Sequence, residues 1–67
     1  MAETLTARIF WDDTDLKNAG WAWVTHESGE YDSSGPLDGC DEQASDDELI
    51  GAFRAQVNDS IADIEVA

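Results

Sequence analysis

Catalytic and metal chemistry needs particular side chains at particular spacings, and this chain has few candidates. His26 and Cys40 are its only imidazole and its only thiol. A structural zinc site takes four ligands, commonly in paired spacings such as C-x-x-C, and two isolated residues cannot supply it. As a nucleophile pair, Cys40 and His26 would also need an orienting group and an oxyanion site. His26 reads instead as an ordinary strand residue, and Cys40, in a Gly/Asp loop, as a semi-exposed free thiol. Asp13 and Asp15 have the opening spacing of an EF-hand calcium loop. Such a loop then requires an acid or amide at its fifth position, Gly at its sixth and a bidentate Glu at its twelfth. Lys17, Asn18 and Val24 stand there, so the match fails. Paired carboxylates serve glycoside hydrolysis only across a substrate cleft, and 67 residues are too few to build one. The expectation is no catalytic residue, no metal and no cofactor. What remains is binding.

Charge points the same way. Sixteen acids, ten Asp and six Glu, face three bases, Arg8, Lys17 and Arg54, for a formal net charge of −13. The acids run along the whole chain from Glu3 to Glu65, so the folded domain itself is acidic, rather than carrying an acidic tail. Phosphate contact needs clustered Lys and Arg, which excludes direct nucleic-acid binding and binding to an anionic membrane. No apolar run approaches the ~20 residues of a membrane span. The start, Met1-Ala2-Glu3-Thr4, lacks the pattern of a signal peptide, and a lone cysteine cannot form an internal disulfide. A cytoplasmic, monomeric protein is expected.

The elements that would position these side chains form one domain over residues 1–67. A chain of this length buries only about 60% of its unfolded surface, and the large apolar residues number seventeen. That is enough for one sheet packed on one helix. Thr4 to Trp11 alternates as a strand, with Leu5, Ala7, Ile9 and Trp11 on one side. Phe10 on the second side implies that both faces are partly covered at that end. A loop follows from Asp12 to Gly20, then a strand over Trp21–His26. Ser28-Gly29 marks a hairpin turn, and a third strand begins at Glu30 and runs to Ser34, with Ser34-Gly35-Pro36 ending regular pairing. A two-residue turn would set Glu27 opposite Glu30, an unfavourable like-charge pair, which leaves a longer or bulged turn open.

The clearest local signal is Ser45, whose partner Glu48 completes an S-x-x-E capping box. Asp46, Asp47 and Glu48 sit on the positive end of the helix dipole and would repel an anion there. Leu49, Ile50, Phe53 and Val57 then recur at helical spacing, and a helix is predicted from about Asp46 to about Asn58. Ala62, Ile64 and Val66 alternate as a short closing strand, although Ile61 and Ile64 also extend the helical stripe. The layout is β-β-β-α with an optional last β. This is an α+β domain: a three- or four-stranded antiparallel sheet with one helix on one face. Trp21 and Trp23 share one strand face, with Trp11 able to join them. They form either the core or, if the helix covers Ala22, Val24, Tyr31 and Leu37 instead, an exposed patch rimmed by carboxylates.

In size, acidity and hairpin-plus-helix layout, the whole chain resembles the small phage proteins that block bacterial defence by imitating DNA. Anti-CRISPR, anti-restriction and glycosylase-inhibitor proteins are among them. The likeness is one of character and assigns no residue a role. It implies a cytoplasmic protein inhibitor whose acids occupy a DNA- or PAM-binding groove, with a subunit of a CRISPR–Cas effector as the suspected basic partner. The acidic clusters are then the candidate contacts: Asp12, Asp13 and Asp15 on one loop; Glu27, Glu30 and Asp32 on the hairpin; Asp46, Asp47 and Glu48 at the helix start. Two alternatives stand beside it. Ten Asp, six Glu and one Lys resemble the composition of salt-adapted proteins, which would make this a halophilic housekeeping domain. Pro36-Leu37-Asp38-Gly39-Cys40 followed by Ser45-Asp46-Asp47-Glu48-Leu49 is similar to the strand-to-helix order of HicB-type antitoxins, which bind a basic toxin.

Overall fold

Alternation in the first half of the chain and a capped stripe in the second produce five elements. A computed structural model of the chain describes residues 4–14 and 19–67. They are β1 (Leu5–Asp12), β2 (Gly20–Glu27), β3 (Glu30–Pro36), α1 (Asp46–Gln56) and β4 (Asp63–Val66). The sheet order is β3-β2-β1-β4. The first three strands form an antiparallel meander. The closing strand is present and lies on the far side of β1, parallel to it, with Thr6 beside Asp63 and Ile9 beside Val66. The domain is therefore α+β with a mixed sheet. No helix among the described residues is long and apolar enough to cross a membrane.

The β2–β3 turn has two residues, and Glu27 does pair with Glu30. Ser28 and Gly29 take φ of 53° and 87°, as a type I′ turn requires, and Gly makes the second of these inexpensive. A bulge follows at once. Thr25 pairs with Ser33 and His26 with Tyr31, which leaves Asp32 as the extra residue. Pairing then continues past the expected stop to Gly35 and Pro36. It can do so because β3 is an edge strand, where the donor that Pro36 lacks is not needed by the ladder.

Ser45 caps α1 by accepting from the Glu48 amide at 3.2 Å. The return bond of the capping box is not made. The helix ends two residues earlier than its stripe predicts, because the Asn58 side chain accepts from both the amide (2.8 Å) and the hydroxyl (2.7 Å) of Ser60 and turns the chain. Arg54 donates to the Asp59 carbonyl at 3.2 Å and steadies that turn.

The helix covers the tryptophan face. Ile9, Leu49 and Phe53 are fully buried, with Ala7, Leu37 and Ile61 close behind. The Trp23 ring meets Phe53 edge-on at 5.8 Å, and Trp11 meets Trp21 edge-on at 5.3 Å. Gly35 is what lets Trp23 lie across β3, since a Cβ at that position would stand 3.1 Å from the indole. The alternative in which Leu37 joins Ala22 and Val24 under the helix is overturned. Leu37 follows Pro36 onto the tryptophan side and is buried there. Burying a side chain of this kind stabilises by roughly 1.5–3 kcal/mol, and the core consists of few such residues.

Candidate partner-binding surface

The sequence groups the acids by runs, and the fold regroups them. Asp12 ends β1 beside Gly20 of β2. At that same end the Trp21 indole donates to the Asp41 carbonyl at 2.6 Å, and the Ala44 amide also bonds that carbonyl at 3.2 Å. This turn is therefore fixed beside Trp11 and Trp21, and α1 opens two residues after Ala44 with Asp46, Asp47 and Glu48. Asp12, Asp13, Asp41 and Glu42 gather near that end, and the three helix acids follow from it. Asp38 is held nearby by Gln56, which accepts from its amide at 3.0 Å and donates to its carbonyl at 2.6 Å.

Glu27 and Glu30 lie at the other end of β2, a strand length of roughly 23 Å away. Asp32 is used by the fold: the buried Thr25 hydroxyl donates to its carboxylate at 3.0 Å. Asp15 lies outside the described residues. The nine predicted contact residues are thus not one surface.

Among the described residues every carboxylate is exposed except Asp12 and Glu27, which are half-buried. The one ion pair there joins Arg8 to Glu65 at 3.0 Å, with both side chains more than half exposed. The hydroxyl of Thr14 (2.7 Å) and then its amide (3.1 Å) donate to Asp12, and these bonds hold its carboxyl below the ordinary value. Asp12 is thereby kept ionised and oriented. Among the described residues no three His, Cys, Asp or Glu side chains come together as a metal site. Cys40 is a half-buried free thiol, and His26 lies on β2 with its ring edge-on to Tyr31 at 6.5 Å.

The face opposite the helix is where sequence reasoning looked least. No described element covers it. Alternation puts Phe10, Ala22 and Pro36 in one row across three strands, then Arg8, Val24 and Ser34, then Thr6, His26 and Tyr31. Tyr31 is 66% exposed. Two concavities lie on this face. One, of about 500 Å³, is bounded by Phe10, Ala22, Pro36 and the carboxylate residues Asp12 and Asp38. The other, of about 380 Å³, lies along Arg8, Val24, His26 and Glu65. Phe10 on the outward side of β1 is the sequence signal for this surface; it is half-buried, as partial cover at that end implies, although no described element lies over it. Asp38 gave no signal because it stands alone in the chain. No family model, curated protein or solved structure matches this chain.

Proposed function

We propose that this domain is a stoichiometric protein inhibitor that imitates DNA and occupies the DNA-binding groove of a bacterial defence complex, a CRISPR–Cas effector being the first candidate. One observation carries the reading. Carboxylates stand exposed over the domain with a single ion pair among the described residues, and the fold brings Asp12 and Asp41 together at the Trp11–Trp21 end. Duplex DNA carries one charge per ~1.7 Å of axis, and closely spaced carboxylates present a comparable field to a groove lined with Lys and Arg. The antitoxin reading draws on the order β3, Pro36-Leu37-Asp38-Gly39-Cys40, α1, and it too seats a basic protein on the acidic surface.

The test mixes the purified domain with a Cas effector complex and a labelled target duplex. Duplex binding should fall to background near one domain per complex. Inhibition should weaken steeply with salt, because charge attraction is screened over ~8–10 Å. Duplex binding undiminished by excess domain rejects this partner, and capture from lysate with mass spectrometry then separates toxin from effector. The salt-adapted alternative has its own test. An inhibitor working in ordinary cytosol should melt cooperatively above ~45 °C in 0.15 M sodium chloride. A chain that folds only at molar salt would favour the halophilic domain.

A further inference from the structure

The row Phe10–Ala22–Pro36 is large, small, large across three neighbouring strands. Ala22 and Gly20 keep the middle strand low, and a Cβ at Gly20 would meet nothing within 4 Å. The result is the open trough of about 500 Å³, with an aromatic wall, a proline wall and the carboxylate residues Asp12 and Asp38 on its boundary. We propose that this trough seats one arginine or lysine side chain projecting from a basic partner protein. The inference rests on the reading that the domain binds such a partner, and it names the contact.

Charge complementarity selects the occupant. A long basic side chain has an apolar stem and a charged head. Phe10 and Pro36 match the stem. Asp12 and Asp38 match the head, through charge-assisted hydrogen bonds and, for a guanidinium over Phe10, a cation–π contact. A purely apolar occupant would strip water from the carboxylates and offer no donor in its place. A second copy of the chain would bring another formal charge of −13 against this one. The one described cation on this face, Arg8, is already bonded to Glu65 at 3.0 Å. An anion would be repelled by the same carboxylates.

An acetylated oligo-arginine peptide serves as the probe, titrated into isotope-labelled protein and followed by NMR. The expected result is the largest amide shifts at Phe10, Ala22 and Asp38, with intermolecular contacts from arginine methylenes to the Phe10 ring. Ala22→Phe fills the trough without changing charge, and should abolish those contacts and weaken binding about tenfold. Asp38→Asn, on the loop outside the sheet, provides a second variant whose fold does not depend on the strand. It should weaken binding by a smaller factor and leave the Phe10 contacts in place. Shifts spread evenly over Glu27, Glu30 and Asp46–Glu48, or an affinity indifferent to Ala22→Phe in a folded variant, would overturn the proposal. Seating of the peptide together with undiminished duplex binding in the effector assay would support the trough and sink the inhibitor reading alone. Diffuse peptide binding together with full effector inhibition would do the reverse.

Discussion

The two faces of the sheet are made by the same strands, one residue out of phase, and they serve different ends. On one, Ala7, Ile9, Trp21 and Trp23 pack with Leu49 and Phe53 of α1, and two indoles donate to carbonyls: Trp21 to Asp41 and Trp23 to Pro36. On the other, Phe10, Ala22, Val24 and Tyr31 share the surface with Arg8 and His26, and no described element lies over them. A domain of 67 residues has material for one packed layer only. That layer holds the fold together, and the second face carries half-buried and exposed side chains instead. The difference puts the packed core on one side of a single sheet and leaves the other side with no described element over it.

Paired phenylalanines give the sharpest way to break that comparison. Phe53→Ala should cost about 3–5 kcal/mol, since the ring is fully buried between sheet and helix. Phe10→Ala should cost about 1 kcal/mol or less, since this residue is only half-buried. Denaturant melts of the two variants measure the contrast, and equal losses would mean that the outer face is part of the core. Next in size is the cap. Ser45→Ala should cost about 0.5–2 kcal/mol by leaving the Glu48 amide without its acceptor, and Ser45→Asp should restore most of it. A melting temperature unmoved by Ser45→Ala would show that packing alone fixes the helix start. Smallest is the ion pair on the outer face. A double-mutant cycle on Arg8 and Glu65 should return a coupling below ~1 kcal/mol that fades with added salt, as exposed pairs do. A large, salt-resistant coupling would mean that this face is less wet than its geometry indicates.

What could be read from the sequence was what is decided locally. Ser45 with its apolar stripe predicts α1, and Ser28-Gly29 predicts the hairpin, because caps and tight turns depend on neighbours a few positions away. A break near the helix end is legible in Asn58-Asp59-Ser60, which are poor helix formers, but a stripe of apolar positions does not register the bond from Ser60 to the Asn58 side chain that sets its place. The direction of β4 was hidden for a different reason. Alternation at Ala62, Ile64 and Val66 reads the same forwards and backwards, and only the return path of the chain after α1 sets Ile64 beside Ala7 in parallel. The choice of covered face was also open, since Trp21 and Trp23 on one side and Ala22 and Val24 on the other are all apolar. Phe53 packing on Trp23 decides it. The candidate site was the least legible part. Runs of acids in sequence are not clusters in space, so Glu27 and Glu30 fall away from Asp12, while Asp38 and Asp41, which the candidate clusters left out, join its end of the sheet.

The bulge at Asp32 has a consequence for how this chain behaves in a crowd. An edge strand with regular spacing offers an open row of amides and carbonyls to any extended chain, and sheets grow into fibres by that route. In β3 the row is interrupted by the extra residue at Asp32, carries the charges of Glu30 and Asp32, and ends in Pro36, which has no amide to offer. A sheet that leaves apolar side chains uncovered is thereby protected along this edge from polymer growth. A neighbouring copy has little to pair with on β3.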